Sequence, residues 1–189
     1  LVGVSTMNTP NTFLATKREY SDFILELEYK VDEGVNSGVQ IRSHSKADYK
    51  SGRVYGYQCE IDPSAYSGGI YDEARSGWLY PLFDLPQAQK AFKRGEWNKM
   101  RVEAVGESIR VWLNGVPTAD MVCQMDMSGF IALQVHDIGT RQELAGRTIR
   151  WRNIRIKTDN LDEELSPAIE SIPQKNYVPN TLSEREKAE

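Results

Sequence analysis

A two-residue alternation of apolar and polar side chains recurs along the first 158 residues and constrains the fold more than any other feature. In Phe23–Val31 the odd positions are all apolar, whereas Glu26, Glu28 and Lys30 occupy even positions. Since successive side chains of a strand point to opposite faces, this pattern predicts a strand with one buried and one solvated face. Similar alternation occurs in segments 39–44, 57–62, 100–104, 109–113 and 131–136.

Turn and bulge signals connect these predicted strands. Gly106-Glu107 separates two of them, and Asn114-Gly115 predicts a second tight hairpin turn because that dipeptide tolerates a positive φ. The last strand, Thr148–Lys157, changes parity, so we predict a β-bulge near Arg152-Asn153. The only helix we expect is a short one over residues 86–92. The pattern therefore predicts an all-β fold, an antiparallel sandwich or jelly roll.

Residues 63–96 read as a long connection that contains Gly and Pro but also six aromatic residues. Connections of this length are uncommon in compact domains and usually have a function. We expect this one to fold over an end or a face of the sheet as a wall.

Charge divides the 189 residues into two unlike parts. The net charge is −4, but residues 159–189 hold eight acidic and three basic residues, which leaves the first 158 close to neutral. The acidic part contains three evenly spaced prolines and is predicted to be an extended linker or tail after a domain of residues 1–158. An acidic chain argues against nucleic-acid binding, and no apolar run is long enough for a membrane span. The parity of the two Cys predicts that both are core residues.

The strongest chemical signal is the sequence Gln58-Cys59-Glu60-Ile61-Asp62. Residues two apart on a strand point the same way about 6.5–7 Å apart, so Glu60 and Asp62 would lie side by side with Gln58. Repulsion between two carboxylates can raise the pKa of one and produce an acid/base pair. An ordinary solvated sheet face is the alternative interpretation.

Neighbouring predicted strands add further candidates. Arg42 would lie near Glu60, either as its ion-pair partner or as a donor to a substrate oxyanion, and Gln134 and His136 share the polar face of another strand. Other candidates are less specific, since each has a structural as well as a ligand-binding interpretation. These are Asn36, in an Asn-Ser-Gly turn sequence, and Tyr71 and Trp78, which could stack on sugar rings or fill space under the long connection.

Several function classes lack their motifs. The sequence has no His or Cys pair at metal-ligand spacing and no acidic calcium loop. It also has no nucleophile elbow, phosphate loop or dinucleotide fingerprint. We therefore expect no metal and no cofactor.

An ordered set of motifs spanning residues 12–157 resembles the 3-keto-disaccharide hydrolase domain family, long catalogued as a domain of unknown function. The motifs include Asn36-Ser37-Gly38-Val39-Gln40-Ile41-Arg42, Gly56-Tyr57-Gln58-Cys59-Glu60-Ile61-Asp62, Gly68-Gly69-Ile70-Tyr71, Glu96-Trp97-Asn98, Gly129-Phe130-Ile131-Ala132-Leu133-Gln134-Val135-His136 and Trp151-Arg152-Asn153-Ile154. The resemblance implies a concanavalin-like jelly roll of two antiparallel sheets with a sugar groove on its concave face. It also implies cleavage of oligosaccharides or glycosides already oxidised at C3, and a periplasmic or secreted, Bacteroidetes-type protein, lipid-anchored in some cases.

Two features depart from the family pattern. Gln58 and Glu60 stand in swapped order, and we expect the sequence to begin after the strand with which the family usually opens. Residues 180–189 resemble the lead-in to another such domain, so we expect a second domain in the same polypeptide.

For such a substrate we assign Glu60 or Asp62 as the base for the C2 proton, Arg42 and Gln134 as enolate donors, and His136 or Tyr71 as the acid. Asn36, Gln58, Tyr71, Trp78 and Gln134 would contact the substrate. Two rival readings remain. Glu60-Ile61-Asp62 matches half of a laminarinase-type motif, but Ala65 stands where the second Glu should be. A non-catalytic carbohydrate-binding module needs only the aromatic loop and a polar groove.

Overall fold

The computed structural model describes residues 1–179, which form two packed β-sheets. Numbered in chain order, the six-stranded sheet runs β2 (Thr12–Tyr20), β11 (Gly129–Val135), β4 (Ser37–Ser45), β5 (Val54–Ile61), β6 (Ile70–Glu73) and β7 (Gly77–Tyr80). The seven-stranded sheet runs β1 (Val2–Val4), β12 (Thr148–Lys157), β3 (Phe23–Val31), β8 (Asn98–Val105), β9 (Ser108–Leu113), β10 (Val116–Val122) and β13 (Lys175–Asn176). The predicted all-β sandwich is confirmed.

Between residues 1 and 179, helical structure is limited to α1 (Pro86–Gln89), inside the predicted segment, and to single 3-10 turns at Lys50–Gly52, Gln142–Leu144 and Leu161–Glu163. Within residues 1–179, no helix combines the length and the apolar character that crossing a bilayer requires.

The core lies between the sheets and consists of the apolar positions of the alternating strands. Leu25, Leu27 and Tyr29 of β3 are fully buried there. Cys59 and Cys123 are buried free thiols, as predicted. Burial of a large apolar side chain such as Leu25 or Leu27 stabilises the fold by roughly 1.5–3 kcal/mol. Because a shift of one residue would expose these side chains, their burial fixes the register of strands whose other face is polar.

The predicted turns and the predicted bulge are present. Asn114 and Gly115 both have positive φ, 53° and 82°, as a two-residue hairpin turn requires. The pairing of β12 with β3 shifts between Arg152 and Arg155, and Asn153 there has a φ of 51°.

The prediction that residues 63–96 form a connection was wrong. Strands β6 and β7 lie within it and extend the six-stranded sheet, with Tyr71 paired opposite Gln58. Each strand has only four residues, too few for a two-residue period to be recognised between Gly and Pro.

Residues 159–179 pack along the seven-stranded sheet, although their composition suggested a linker. The backbone N and Oγ of Ser166 donate to the buried Glu103 carboxylate at 2.9 and 2.7 Å, and β13 pairs in parallel with β10. The Tyr80 hydroxyl donates to the carbonyl of Pro173 at 2.6 Å. The expected lead-in to a second domain, residues 180–189, lies outside the described residues.

Arg42 does not lie beside Glu60, which corrects the sequence-based placement. The register between β4 and β5 shifts between Ile41 and His44, and Arg42 has a φ of 45°. This bulge redirects the Arg42 side chain, which is fully buried and donates to the carbonyls of Ser21 and Gly106, both at 2.7 Å. Its Nη2 also pairs with Asp22 at 3.2 Å. Arg42 therefore joins the β2–β3 turn to the β8–β9 turn.

We expect Arg42→Met to lower the free energy of unfolding by about 3 kcal/mol, because two carbonyls and a carboxylate lose a buried charged donor. Arg155→Met, the same change at an exposed position of β12, is the control and should cost no more than about 0.5 kcal/mol. Urea denaturation followed by tryptophan fluorescence measures both. Equal losses in the two variants would contradict the structural role of Arg42.

Candidate functional site

A chain of hydrogen-bonded side chains on the outer face of β4 and β5 ends at Glu60. Ser43 Oγ donates to Gln40 Oε1 at 2.6 Å, and Gln40 Nε2 donates to Gln58 Oε1 at 2.6 Å. Gln58 Nε2 in turn donates to Glu60 Oε2 at 2.8 Å. Each of the two glutamines accepts a hydrogen bond through its amide oxygen and donates one through its amide nitrogen. All the hydrogen bonds of the chain therefore run in one direction, towards the Glu60 carboxylate.

The turn sequence Asn36-Ser37-Gly38 contributes to the same arrangement. Gly38 pairs with Glu60, and a Cβ at position 38 would lie 2.3 Å from Gln58 Cδ. The missing side chain therefore leaves room for Gln58 to lie across the strand towards Glu60. Asn36 Nδ2 donates to the other carboxylate oxygen, Glu60 Oε1, at 2.8 Å.

Glu60 is 5% exposed, and this burial raises its pKa from the ordinary 4.5 to about 7. The hydrogen bonds from Gln58 and Asn36 oppose this rise in pKa, whereas the negative charges of Asp62 and Glu73 contribute to it. In the described part of the chain no Lys or Arg forms an ion pair with Glu60. The carboxyl group can therefore gain or lose a proton close to neutral pH.

Gln134 lies beside this cluster on β11. Its backbone carbonyl accepts from Ser37 Oγ at 2.6 Å, and its side chain is fully buried. Neither amide atom of Gln134 has a hydrogen-bond partner within residues 1–179, and neither has Asn36 Oδ1. The predicted neighbourhood is correct, but full burial prevents direct contact between Gln134 and a ligand in the open cleft.

His136 follows at the end of β11. Its Nδ1 is 2.7 Å from the carbonyl oxygen of Asp137, which can only accept a hydrogen bond. Nδ1 must therefore carry the proton in the neutral ring, and Nε2 carries the lone pair. The ring is oriented so that Nε2 is available for proton exchange.

Aromatic residues of β6 and β7 form one wall of the site. The rings of Tyr71 and Trp78 pack edge to face with their centroids 5.4 Å apart, and Trp78 also contacts Tyr66. Burial and the charges of Glu73 and Glu60 raise the pKa of Tyr71, so its hydroxyl stays protonated and can donate. Asp62 Oδ1 accepts from the backbone N of Ser64 at 2.7 Å, which fixes the turn after β5.

These side chains line one cavity of about 430 Å³. Seven of the nine sequence-predicted site residues line it: Asn36, Gln58, Glu60, Asp62, Tyr71, Trp78 and His136. Gln134 lies next to the cavity, and Arg42 is directed elsewhere.

Sequence reasoning did not identify six further lining residues, Asn11, Lys50, Arg53, Glu73, Ala74 and Arg75. Lys50 and Ser51 have φ of 43° and 58° in the β4–β5 connection, which brings Lys50 and Arg53 to the cavity. No alternation marks these positions, although Ser51-Gly52 is a turn signal that could have pointed to the loop.

Within residues 1–179 there is no group of three or more His, Cys, Asp or Glu side chains placed to hold a metal ion. The cavity itself offers three carboxyl groups, those of Glu60, Asp62 and Glu73, together with one imidazole, a phenol and several amides and cations.

Several solved structures share this fold. A candidate glycosyl hydrolase from Parabacteroides distasonis is 26% identical, with 78% of this chain and 83% of that chain covered and a TM-score of 0.54. The carbohydrate-binding module CBM66 from Bacillus subtilis is 15% identical, with 78% and 82% covered and a TM-score of 0.55. A Bacillus subtilis protein of unknown function with a galectin-like fold is 8% identical, with 78% and 77% covered and a TM-score of 0.56.

Among curated proteins, none matches the chain. A family model described as a 3-keto-alpha-glucoside-1,2-lyase-like domain matches residues 2–157, which includes every residue of the cavity. This match confirms the resemblance found in the sequence, and the chain belongs to the 3-keto-alpha-glucoside-1,2-lyase-like domain family.

Proposed function

We propose that this domain cleaves 3-keto-glycosides by elimination, followed by addition of water. The observation that carries the proposal is Glu60, a buried carboxyl whose pKa is raised to about 7, in the same cavity as an imidazole with a free Nε2. A site of this kind can remove and deliver protons at neutral pH. Family membership supports the choice of substrate.

The ketone determines which bond reacts. A carbonyl at C3 acidifies the proton on C2, so a base can remove that proton and form an enolate. The enolate then expels the C1 substituent, which leaves with a proton supplied by an acid. Addition of water across the resulting C1–C2 double bond gives the free 3-keto sugar, so that the net reaction is hydrolysis.

We assign Glu60 as the base. The acid is His136 in its imidazolium form, which carries a proton on Nε2 as well as on Nδ1. The sequence left Asp62 and Tyr71 as alternatives. Asp62 is tied into the turn at Ser64, and the raised pKa of Tyr71 makes it a weaker acid than an imidazolium.

The enolate oxygen needs hydrogen-bond donors. Arg42, which the sequence predicted for this role, is directed to the carbonyls of Ser21 and Gly106 instead. Tyr71 and Arg53 line the cavity and carry donor groups, and the Arg53 side chain is about half exposed. We propose that they hold the developing negative charge, while Trp78 stacks on the sugar.

A non-catalytic carbohydrate-binding module is the second candidate function. The fold shared with CBM66 and the aromatic wall favour it. Binding alone, however, does not require a carboxyl group that is buried without a cation, which costs stability when it ionises. This feature favours catalysis.

Glu60→Gln should lower kcat/KM on a chromogenic 3-keto-glucoside by at least about a hundredfold, because the amide cannot accept the C2 proton. Glu19→Gln, the same change at an exposed position of β2, should keep the wild-type rate. Neither protein should act on the unoxidised glucoside. Full activity of Glu60→Gln on the keto substrate would exclude Glu60 as the base, and wild-type binding of both sugars without turnover would favour the binding module.

The raised pKa of Glu60 also predicts how stability depends on pH. Between pH 4.5 and 7 the folded protein keeps a proton on Glu60 that the unfolded chain releases, so the free energy of unfolding falls as pH rises through this range. The loss attributable to Glu60 should be of the order of 3 kcal/mol.

Denaturation of wild type and Glu60→Gln at several pH values measures this effect. Because the amide does not ionise, the variant should gain stability relative to wild type as pH rises. A difference between the two proteins that stays constant across the range would show that the pKa of Glu60 is not raised.

A further inference from the structure

A second and larger cavity, of about 630 Å³, lies next to the Glu60 cavity. The two share four lining residues, Asn11, Lys50, Arg53 and His136. Each cavity falls in the size range of small-molecule sites, so the two together exceed what one sugar ring needs.

The two cavities differ in the chemistry of their walls. Apart from Ala74, the side chains around the Glu60 cavity are charged or carry hydrogen-bonding groups suited to a sugar. The second cavity adds three apolar side chains, Pro10, Phe13 and Val54. Phe13 is half-buried on β2, so part of its ring surface is open to a ligand.

The charged groups at the boundary already have partners. Arg53 Nη2 pairs with Glu73 Oε1 at 3.1 Å, and Lys50 Nζ donates to the carbonyl of Ala74. Asp137 accepts from the backbone N of Gly139. Arg53 keeps further N–H donors for the enolate, and what the second cavity adds for recognition is the apolar surface of Pro10, Phe13 and Val54.

His136 lies between the two spaces, since it lines both. In the proposed reaction this residue protonates the leaving group, whereas Glu60, in the first cavity only, acts on C2. A substrate that reaches both groups has its keto sugar beside Glu60 and its aglycone beyond His136.

From this arrangement we propose that the second cavity binds the aglycone, and that it is built for an apolar aromatic aglycone rather than for a second sugar. This inference rests on the proposed function for its orientation. Contact with Phe13, Pro10 and Val54 would stabilise a benzyl group in the complex through burial of apolar surface.

The test compares 3-keto-glucosides with a methyl, a benzyl and a glucosyl aglycone. Methanol and benzyl alcohol are similar leaving groups, so the ratio of their kcat/KM values reports recognition. We expect wild type to prefer benzyl over methyl roughly tenfold. Phe13→Ala should bring the ratio close to one, because the benzyl group loses its aromatic contact.

Leu14→Ala, the neighbouring change on the same strand, removes an exposed side chain that lines neither cavity and should keep the wild-type ratio. Val54→Asn, a second change in the aglycone cavity, should also lower the ratio. An unchanged ratio in Phe13→Ala, or a wild-type preference for the glucosyl over the benzyl substrate, would overturn the proposal.

Binding of the unoxidised methyl and benzyl glucosides, followed by NMR titration, separates this proposal from the proposed reaction. Tighter binding of the benzyl compound that is lost in Phe13→Ala supports the aglycone site even if no ketone is turned over. Equal affinity of wild type for both compounds would overturn it, whatever the catalytic result.

Discussion

The site depends on a buried carboxyl group, Glu60, that is held by amides and not by a cation. Gln58 donates a hydrogen bond to one carboxylate oxygen of Glu60, and Asn36 donates to the other. These bonds keep the carboxyl group in place without forcing it to ionise. An arginine at the same distance would hold the pKa low and make Glu60 a weak base. Arg42, which the bulge in β4 directs to the turns at Ser21 and Gly106, does not pair with Glu60. Burial of Glu60 therefore raises its pKa to about 7.

Much of the fold could be predicted because the sandwich buries one face of each long strand. Alternation identified β3, β5, β8, β9 and β11, and the change of parity in Thr148–Lys157 revealed the bulge at Asn153. The signal fails where a strand is too short to show a period, as in β6 and β7, or where composition is acidic although the backbone pairs, as in residues 159–179. The bulge in β4 was not predicted because the sequence 39–44 keeps an apparent alternation through it, and Arg42 was misplaced for this reason.

The candidate site was predictable to the extent that it follows strand periodicity and the family motifs. Gln58, Glu60 and His136 were placed on polar faces and line the same cavity. Lys50 and Arg53 come from a connection whose left-handed residues have no periodic signature, so their position depends on tertiary contacts with the turn at Ala74. Hydrogen-bond direction and burial likewise follow only from the assembled sheet. These properties decide which of the predicted groups can exchange protons.

Removal of the C2 proton by Glu60 is the central step of the proposed reaction. It is tested most directly by comparing kcat/KM for two forms of one 3-keto-glucoside, with hydrogen and with deuterium at C2. Because the C2–H bond breaks in the step that the base promotes, the deuterated substrate should react more slowly in the wild-type protein. Equal values for the two forms, together with cleavage of the glycosidic bond, would contradict elimination and the role of Glu60 in it.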